Sequence, residues 1–292
     1  MTVTPPRPNK SPLHAPSAAT SPDTPGPDAV ALNQALNQMR ATAPLVQNIT
    51  NYVAMNMMAN VMLAAGASPA MVHAKAEAPE FVKIAQALTI NIGTLSPRWV
   101  ESMMATAEAA VSHQKPWVLD PVAVGATDYR RQVAADLLHA KPSIIRGNGS
   151  EIMALAGVQA TGRGVDSADT VELATEAAET LARDHGAVVA VSGPRDYVTD
   201  GARRAWISNG HPLMPRVTAL GCSLNGIIAA FTATGSDAFT STVAAMAFYG
   251  VAGDIAGEQA RGPGSFVVAF LDALMAVDGD SLALGARVTL PS

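Results

Sequence analysis

Leu88-Thr89-Ile90-Asn91-Ile92-Gly93-Thr94, then Ser96-Pro97 and a helix-length stretch to about His113, then Trp117-Val118-Leu119-Asp120-Pro121: this segment decides the fold. Each apolar run is short and continuous, as in a strand buried on both faces. Proline near the first helical position suits a helix start. Strand, helix and strand therefore follow one another here.

The same alternation extends in both directions. Upstream, a helix starts near Asp28, carries Leu32, Leu36 and Met39, and ends at Pro44. Residues 45–49 read as a strand. Thr50 or Asn51 is placed to cap a helix carrying Val53, Met57, Val61 and Ala64, which stops at Gly66. Residues 70–72 read as a short strand and 79–87 as a helix. Downstream, residues 129–140 and 171–185 are helical, 143–145 and 188–191 are strands, and 157–170 read as a surface loop. Pieces around 204–207 suggest a local antiparallel edge, and residues 221–275 are largely helical. The expected fold is α/β, a mostly parallel central sheet flanked by helices on both faces. Residues 1–28, rich in Pro, Ser, Thr and Ala, read as a disordered tail. Residues 29–292 read as one domain.

Composition narrows the function. Apolar residues make up 49% of the 292 and charged residues only 15%, so a large core is available. A net charge of −5 without a dense basic block argues against a nucleic-acid binder. The single cysteine excludes an internal disulfide and a cysteine-cluster metal site. It fits a reducing compartment, and the cytoplasm is the expected location. The apolar stretches near 226–234 and 242–253 are broken by Thr, Gly and Asp, which argues against a membrane span. The first residues lack the apolar region of a signal peptide.

In open α/β sheets, ligands sit outside the carboxyl ends of the strands. Those ends carry Met71, Asn91 to Thr94, Asp120-Pro121, Arg146-Gly147-Asn148 and Ser192-Gly193-Pro194. Cys222 lies at or near the first turn of a buried helix, where free amides and the helix dipole favour anions such as phosphate. A lone cysteine also reads as a plain core residue. A Walker A sequence, a Rossmann GxGxxG at the first strand, HExxH and GxSxG are absent from the sequence.

Five stretches together resemble the hydroxyethylthiazole kinase family. They are Gln47-Asn48-Ile49-Thr50-Asn51-Tyr52-Val53, Gly66 to Met71, Leu88 to Leu95, Leu119 to Thr127 and Arg146 to Ile152, with Gly262-Pro263-Gly264-Ser265-Phe266 closing the set. The resemblance covers roughly residues 30–275. It implies a ribokinase-like fold and transfer of the ATP γ-phosphate, with Mg²⁺, to the alcohol of 5-(2-hydroxyethyl)-4-methylthiazole. The product feeds thiamine synthesis or salvage. A homotrimer with active sites between subunits is also implied.

Residue by residue, the resemblance makes Met71 a thiazole contact, with Asn51 and Gly93 shaping that side. Asn51 reads alternatively as a helix cap and Gly93 as a positive-φ turn. Arg146 and Ser192 correspond to ATP contacts, against readings as a surface arginine and a strand-ending turn. Asp120 and Glu151 correspond to acidic positions near magnesium and the phosphates, against readings as a turn residue and a helix cap. Cys222 stands where related sugar kinases carry an aspartate base, and acts either as a thiolate base or by positioning the alcohol. Amides around Gly221–Leu224 would hold the transferring phosphoryl group. The family pattern before the cysteine is Gly-Ala-Gly or Gly-Thr-Gly; this chain has Ala219-Leu220-Gly221. Ala219 replaces a substrate-touching glycine and Leu220 adds bulk, changes that weaken activity or shift the preferred alcohol. A same-fold kinase for another heterocyclic alcohol, a same-fold dehydratase of hydrated nicotinamide cofactors and a weakly active binding protein are the competing readings. The dehydratase's usual Gly-Asp pair is absent at Gly221-Cys222.

Overall fold

In the computed structural model, residues 27–158 and 167–291 are described. The elements run α1 (Ala29–Thr42), β1 (Leu45–Ile49), α2 (Met55–Ala65), β2 (Ser68–Ala70), α3 (Ala78–Phe81), β3 (Ala87–Asn91), α4 (Pro97–Ser112) and β4 (Trp117–Asp120). They continue α5 (Asp128–His139), β5 (Ile144–Asn148), α6 (Gly149–Leu155), α7 (Ser167–His185), β6 (Val188–Ser192), β7 (Asp196–Thr199) and β8 (Arg204–Ile207). The last third holds α8 (Leu220–Thr232), α9 (Ala238–Gln259), α10 (Pro263–Ala276), α11 (Gly279–Gly285) and β9 (Val288–Thr289).

One nine-stranded sheet runs in the order 2-1-3-4-5-6-7-8-9. Strands β1 to β6 are parallel, and β7, β8 and β9 add an antiparallel edge. The α/β architecture expected from the alternation is therefore present. The side-chain period of two explains the continuously apolar strands. Val118, Ile144, Val188 and Ala190 enter a core shared with α1, α2, α8, α9 and α10. Their neighbours Leu119, Ile145, Val189 and Val191 enter a second core under α4, α5, α6 and α7. Helix α9 is long and apolar enough to cross a membrane, yet 78% of that stretch is buried inside the fold.

Several local expectations are corrected. Asp28 is not tail: its side chain accepts the Ala31 amide at 2.9 Å and caps α1. The rest of the proposed tail lies outside the described residues apart from Pro27, as does much of the proposed 157–170 loop. Helix α7 already begins at Ser167. Val53 precedes α2 and is 61% exposed, and the buried stripe is Met58, Val61, Met62 and Ala65. The helix expected over 79–87 is the four-residue α3, followed by turns into β3. Strand β9 was not expected; two residues give too little pattern to read.

Because adjacent strand residues serve opposite cores, Ile144→Ala and Ile145→Ala should each cost about 2–5 kcal/mol in urea denaturation. A cost below about 0.5 kcal/mol for either would mean that one face of the sheet is open to water.

Candidate active site

The carboxyl ends of the parallel strands form one rim, and a cleft of about 900 Å³ opens there. Asp120, Arg146, Glu151 and Ser192 line its sheet side, and much of segment 209–222 lines the other. Ala219, Gly221 and Cys222 belong to that second wall.

Asp120 ends β4 and is 1% exposed. Its Oδ2 accepts from Asn91 Nδ2 at 2.5 Å and from Asn225 Nδ2 at 2.7 Å. Its Oδ1 is buried without a donor. Burial pushes the carboxyl up to about 7, opposed by the Arg146 charge and reinforced by Glu151. The reading of Asp120 as an ordinary turn residue does not describe this environment.

Arg146 lies inside β5, not beyond it, and is 8% exposed, so it is not a surface arginine. Its Nη2 donates to Ser192 Oγ at 2.5 Å and its Nη1 to the Gly221 carbonyl at 3.0 Å. Its buried Nε has no acceptor. Ser192 thus does more than end a strand: its hydroxyl helps fix the guanidinium. Glu151 is a helix cap, as one reading had it. Its Oε2 accepts the Asn148 amide at 2.9 Å, while Asn148 Oδ1 accepts the Glu151 amide at 3.0 Å. Its Oε1 also accepts the Ala123 amide at 2.9 Å, tying the loop after β4 to α6. Glu151 also lines the cleft.

Cys222 is the third residue of α8 and is half-buried. Asn51 Nδ2 donates to its Sγ at 3.4 Å and to Asn91 Oδ1 at 2.9 Å. Desolvation pushes the thiol above its usual range, the Asp120 charge adds to this, and Asn51, Asn91 and Arg146 oppose it. The free helix amides sit slightly earlier than expected. Ser223 N–H is already spent on the Ala219 carbonyl at 2.8 Å, which leaves Leu220, Gly221 and Cys222 facing the cleft end of the helix.

Ala219 adopts φ 67° and ψ −1° and caps α8 in the left-handed region. Such a conformation costs an alanine about 1–2 kcal/mol. Leu220 does not crowd the turn: it is 2% exposed and belongs to the first core. Tyr249 OH donates to the Leu220 carbonyl at 2.8 Å and Ser223 Oγ to the Ala219 carbonyl at 2.7 Å, holding the turn from two sides.

Asn51 and Gly93 are not among the residues lining the cleft; Asn51 meets Cys222, and both donate to Asn91, which in turn donates to Asp120. Asn51 Oδ1 accepts the Ala54 amide at 3.0 Å, so it caps the turn before α2 rather than the helix itself. Gly93 does not have a positive φ. It is needed for closeness: a β-carbon there would stand 2.7 Å from Asn51 Nδ2 and 2.9 Å from Asn91 Oδ1. Met71 follows β2 at the sheet edge, half-buried against the first core and outside the cleft lining.

Two residues escaped the sequence reading. Asn225 lies one turn after Cys222 and bridges Asp120 to the Cys222 carbonyl, 3.1 Å away. Its i+3 spacing from the cysteine was the available signal. Arg130 donates to the Ile92, Gly93 and Val122 carbonyls at 2.6, 2.7 and 2.9 Å, clamping the loops after β3 and β4. Its sequence neighbourhood, an exposed-looking helix start, carries no sign of this.

The hydroxyethylthiazole kinase family model matches residues 36–280. A hydroxyethylthiazole kinase of Cereibacter sphaeroides is 63% identical over 253 residues, 87% of this chain and 96% of its own length. One from Rhizobium etli is 60% identical over 256 residues, 87% of this chain and 99% of its own. The solved hydroxyethylthiazole kinase of Pyrococcus horikoshii OT3 superposes with a TM-score of 0.83 at 39% identity, over 89% of this chain and 99% of that one. A Staphylococcus aureus pyridoxal kinase, solved with AMP-PCP and pyridoxal, shares the fold at 15% identity and a TM-score of 0.59. A family model over residues 36–280, with 63% identity to a relative across 87% of the chain, makes the chain a member of the hydroxyethylthiazole kinase family, and so a kinase.

Proposed function

We propose that the chain moves the γ-phosphate of ATP to the hydroxyl of 5-(2-hydroxyethyl)-4-methylthiazole, giving the thiazole phosphate used in thiamine synthesis or salvage. The observation that carries this is the convergence of Arg146, from the sheet side, and the free amides of α8, from the opposite wall, on one cleft beside Cys222. A guanidinium and a helix N-terminus suit a triphosphate. Arg146 and Ser192 bind the phosphates, and the Gly221 turn closes on the transferring group. Met71, Asn51, Gly93 and Ala219 form the thiazole side. Exposed Tyr52 and Val53, next to Asn51, support a neighbouring subunit completing that side in a homotrimer. Residues 29–292 act as one kinase domain, located in the cytoplasm.

The residues present fit Mg²⁺. Asp120, Glu151 and Asp196 line the cleft with Arg146, an acidic balance that disfavours a bare polyphosphate. The buried Oδ1 of Asp120 lacks any donor, as a group kept for a cation would. Few protein carboxylates, with phosphate oxygens and water, is a common Mg²⁺ donor set. Asp120 and Glu151 would hold it, directly or through water. When bound, Mg²⁺ neutralises charge on the phosphates during transfer.

During transfer the alcohol oxygen bonds to the γ-phosphorus, the bond to the β–γ bridging oxygen breaks, and ADP leaves with that oxygen. The amides of Leu220, Gly221 and Cys222 hold the equatorial oxygens of the moving group. Cys222 positions the alcohol as a neutral thiol, because burial and Asp120 oppose the thiolate. A loose transition state needs no strong base, and the alcohol proton leaves with the phosphate product.

Release of ADP with hydroxyethylthiazole, and much less with pyridoxal or pyrimidine alcohols, tests the reading. Equal turnover of those alcohols would favour a broader kinase; thiazole binding without turnover would favour a binding protein. Cys222→Ala should lower kcat by about tenfold, because the amides remain. A loss on the order of 10²–10⁴ would instead mark a proton-transfer role.

Asp120 also predicts a pH dependence. Between the unfolded carboxyl value near 4 and about 7 in the fold, the folded chain holds a proton that the unfolded chain has released. Stability therefore falls as pH rises through that window and levels off above it. In metal-free protein, Asp120→Asn should gain on the order of 4 kcal/mol over the parent at pH 8, nothing at pH 4, and lose turnover. A gap that does not change with pH would contradict this assignment.

A further inference from the structure

The far wall of the cleft is a loop, and α9 carries three glycines where that loop rests on it. A β-carbon on Gly250 would stand 2.6 Å from Asn209 Cβ and 3.0 Å from its carbonyl carbon. One on Gly253 would stand 2.6 Å from Met214 Sδ, and one on Gly257 2.2 Å from the His211 ring. Spacings of three and four put the glycines on one helix face. Glycine inside a helix is unfavourable relative to alanine. Here all three positions admit close approach of cleft-lining residues.

Asp254 sits on the same face and supplies a second, polar attachment. Its Oδ2 accepts from Asn209 Nδ2 at 2.8 Å and its Oδ1 from the Gly210 amide at 3.0 Å. Gly210 has φ +120°, which turns the backbone at this anchor. Arg287, next to β9, completes the attachment. It pairs with Asp254 at 3.0 Å, gives its amide to Asn209 Oδ1 at 2.6 Å and its guanidinium to the Ser208 carbonyl at 2.7 Å. Asn209, Gly210, His211 and Met214 line the cleft, whereas Gly253, Asp254, Gly257 and Arg287 do not.

We propose that Asp254 and the glycine track of α9 are a positioning device that seats the Asn209–Met214 wall and so sets affinity for the nucleoside triphosphate. The inference rests on the ATP-dependent reading above. Asp254 touches neither substrate nor reacting atoms; it acts through Asn209 and Gly210. Asn51 and Gly93 of the thiazole side have no bond to this assembly, whereas Asn209–Met214 share the cleft with the phosphate-side groups Arg146 and Ser192. Effects should fall on the nucleotide and spare the alcohol.

The test compares Asp254→Asn and Gly257→Ala with the parent, by calorimetry with MgATP and ADP and by steady-state kinetics. Asp254→Asn keeps the shape but cannot accept at both positions. KM for ATP and Kd for ADP should rise about tenfold, the scale of one hydrogen bond to a charged group. KM for the alcohol should stay within about twofold, the split expected when only one substrate's binding is disturbed. Gly257→Ala combined with His211→Ala should match His211→Ala alone, because the added methyl then has no ring to strike. Unchanged nucleotide affinity in Asp254→Asn, or equal losses for both substrates with lowered Tm, overturns the inference. A parent protein that binds no nucleotide overturns the kinase reading instead.

Discussion

The carboxylate of Asp120 is the constraint around which the site is assembled. An ionisable group that is 1% exposed is costly to bury, and its neighbours are arranged to meet that cost only in part. Asn91 from β3 and Asn225 from α8 both donate to one oxygen, so the acid joins two strands and a helix at the sheet's rim. Asn91 also receives Asn51 and the Gly93 amide, at 2.9 and 2.8 Å. Asn51 then reaches Cys222. A single polar network therefore fixes the start of α8 over the strand ends. The other oxygen is left without a donor, which is unfavourable for a buried carboxylate and is the atom that the proposed Mg²⁺ would take.

The turn before α8 shows how the fold accommodates an alanine in the left-handed region, where glycine is the usual residue. Alanine at position 219 carries about 1–2 kcal/mol of left-handed backbone strain. The neighbouring change works the other way: burying a leucine side chain contributes about 1.5–3 kcal/mol, and Leu220 is buried in the first core. Tyr249 and Ser223 hold the two carbonyls of the turn. The comparison of magnitudes favours a retained turn, with its amides still directed at the cleft. The side chain of Leu220 is buried in the core, although the residue still borders the cleft.

Much of this was legible in the sequence, for identifiable reasons. Strands such as Trp117–Asp120 are apolar at consecutive positions because both faces are covered, and that pattern is unlike any loop. Ser96 and Pro97 mark the start of α4 as written, with Ser96 accepting the Trp99 amide. Asp120, Arg146, Ser192, Gly221 and Cys222 do gather on one cleft, since parallel strands put their ends on one rim. What was hidden depends on contacts distant in sequence. Asn225 meets Asp120 across 105 positions, and Arg130 meets Gly93 across 37. The positive φ of Ala219 was unreadable because alanine usually resists it. The alternative reading of Gly93 as a positive-φ turn fails, and its closeness to Asn51 and Asn91 leaves no local trace in the sequence.

The central claim is that the first turn of α8 holds the transferring phosphoryl group while Cys222 meets the alcohol. A crystal structure with hydroxyethylthiazole and a non-hydrolysable ATP analogue tests it most directly. The account predicts γ-phosphate oxygens within hydrogen-bond distance, about 2.7–3.2 Å, of the Gly221 and Cys222 amides, with the hydroxyl beside Cys222 Sγ. A γ-phosphate bound away from that turn, or a hydroxyl out of reach of Cys222, would contradict it.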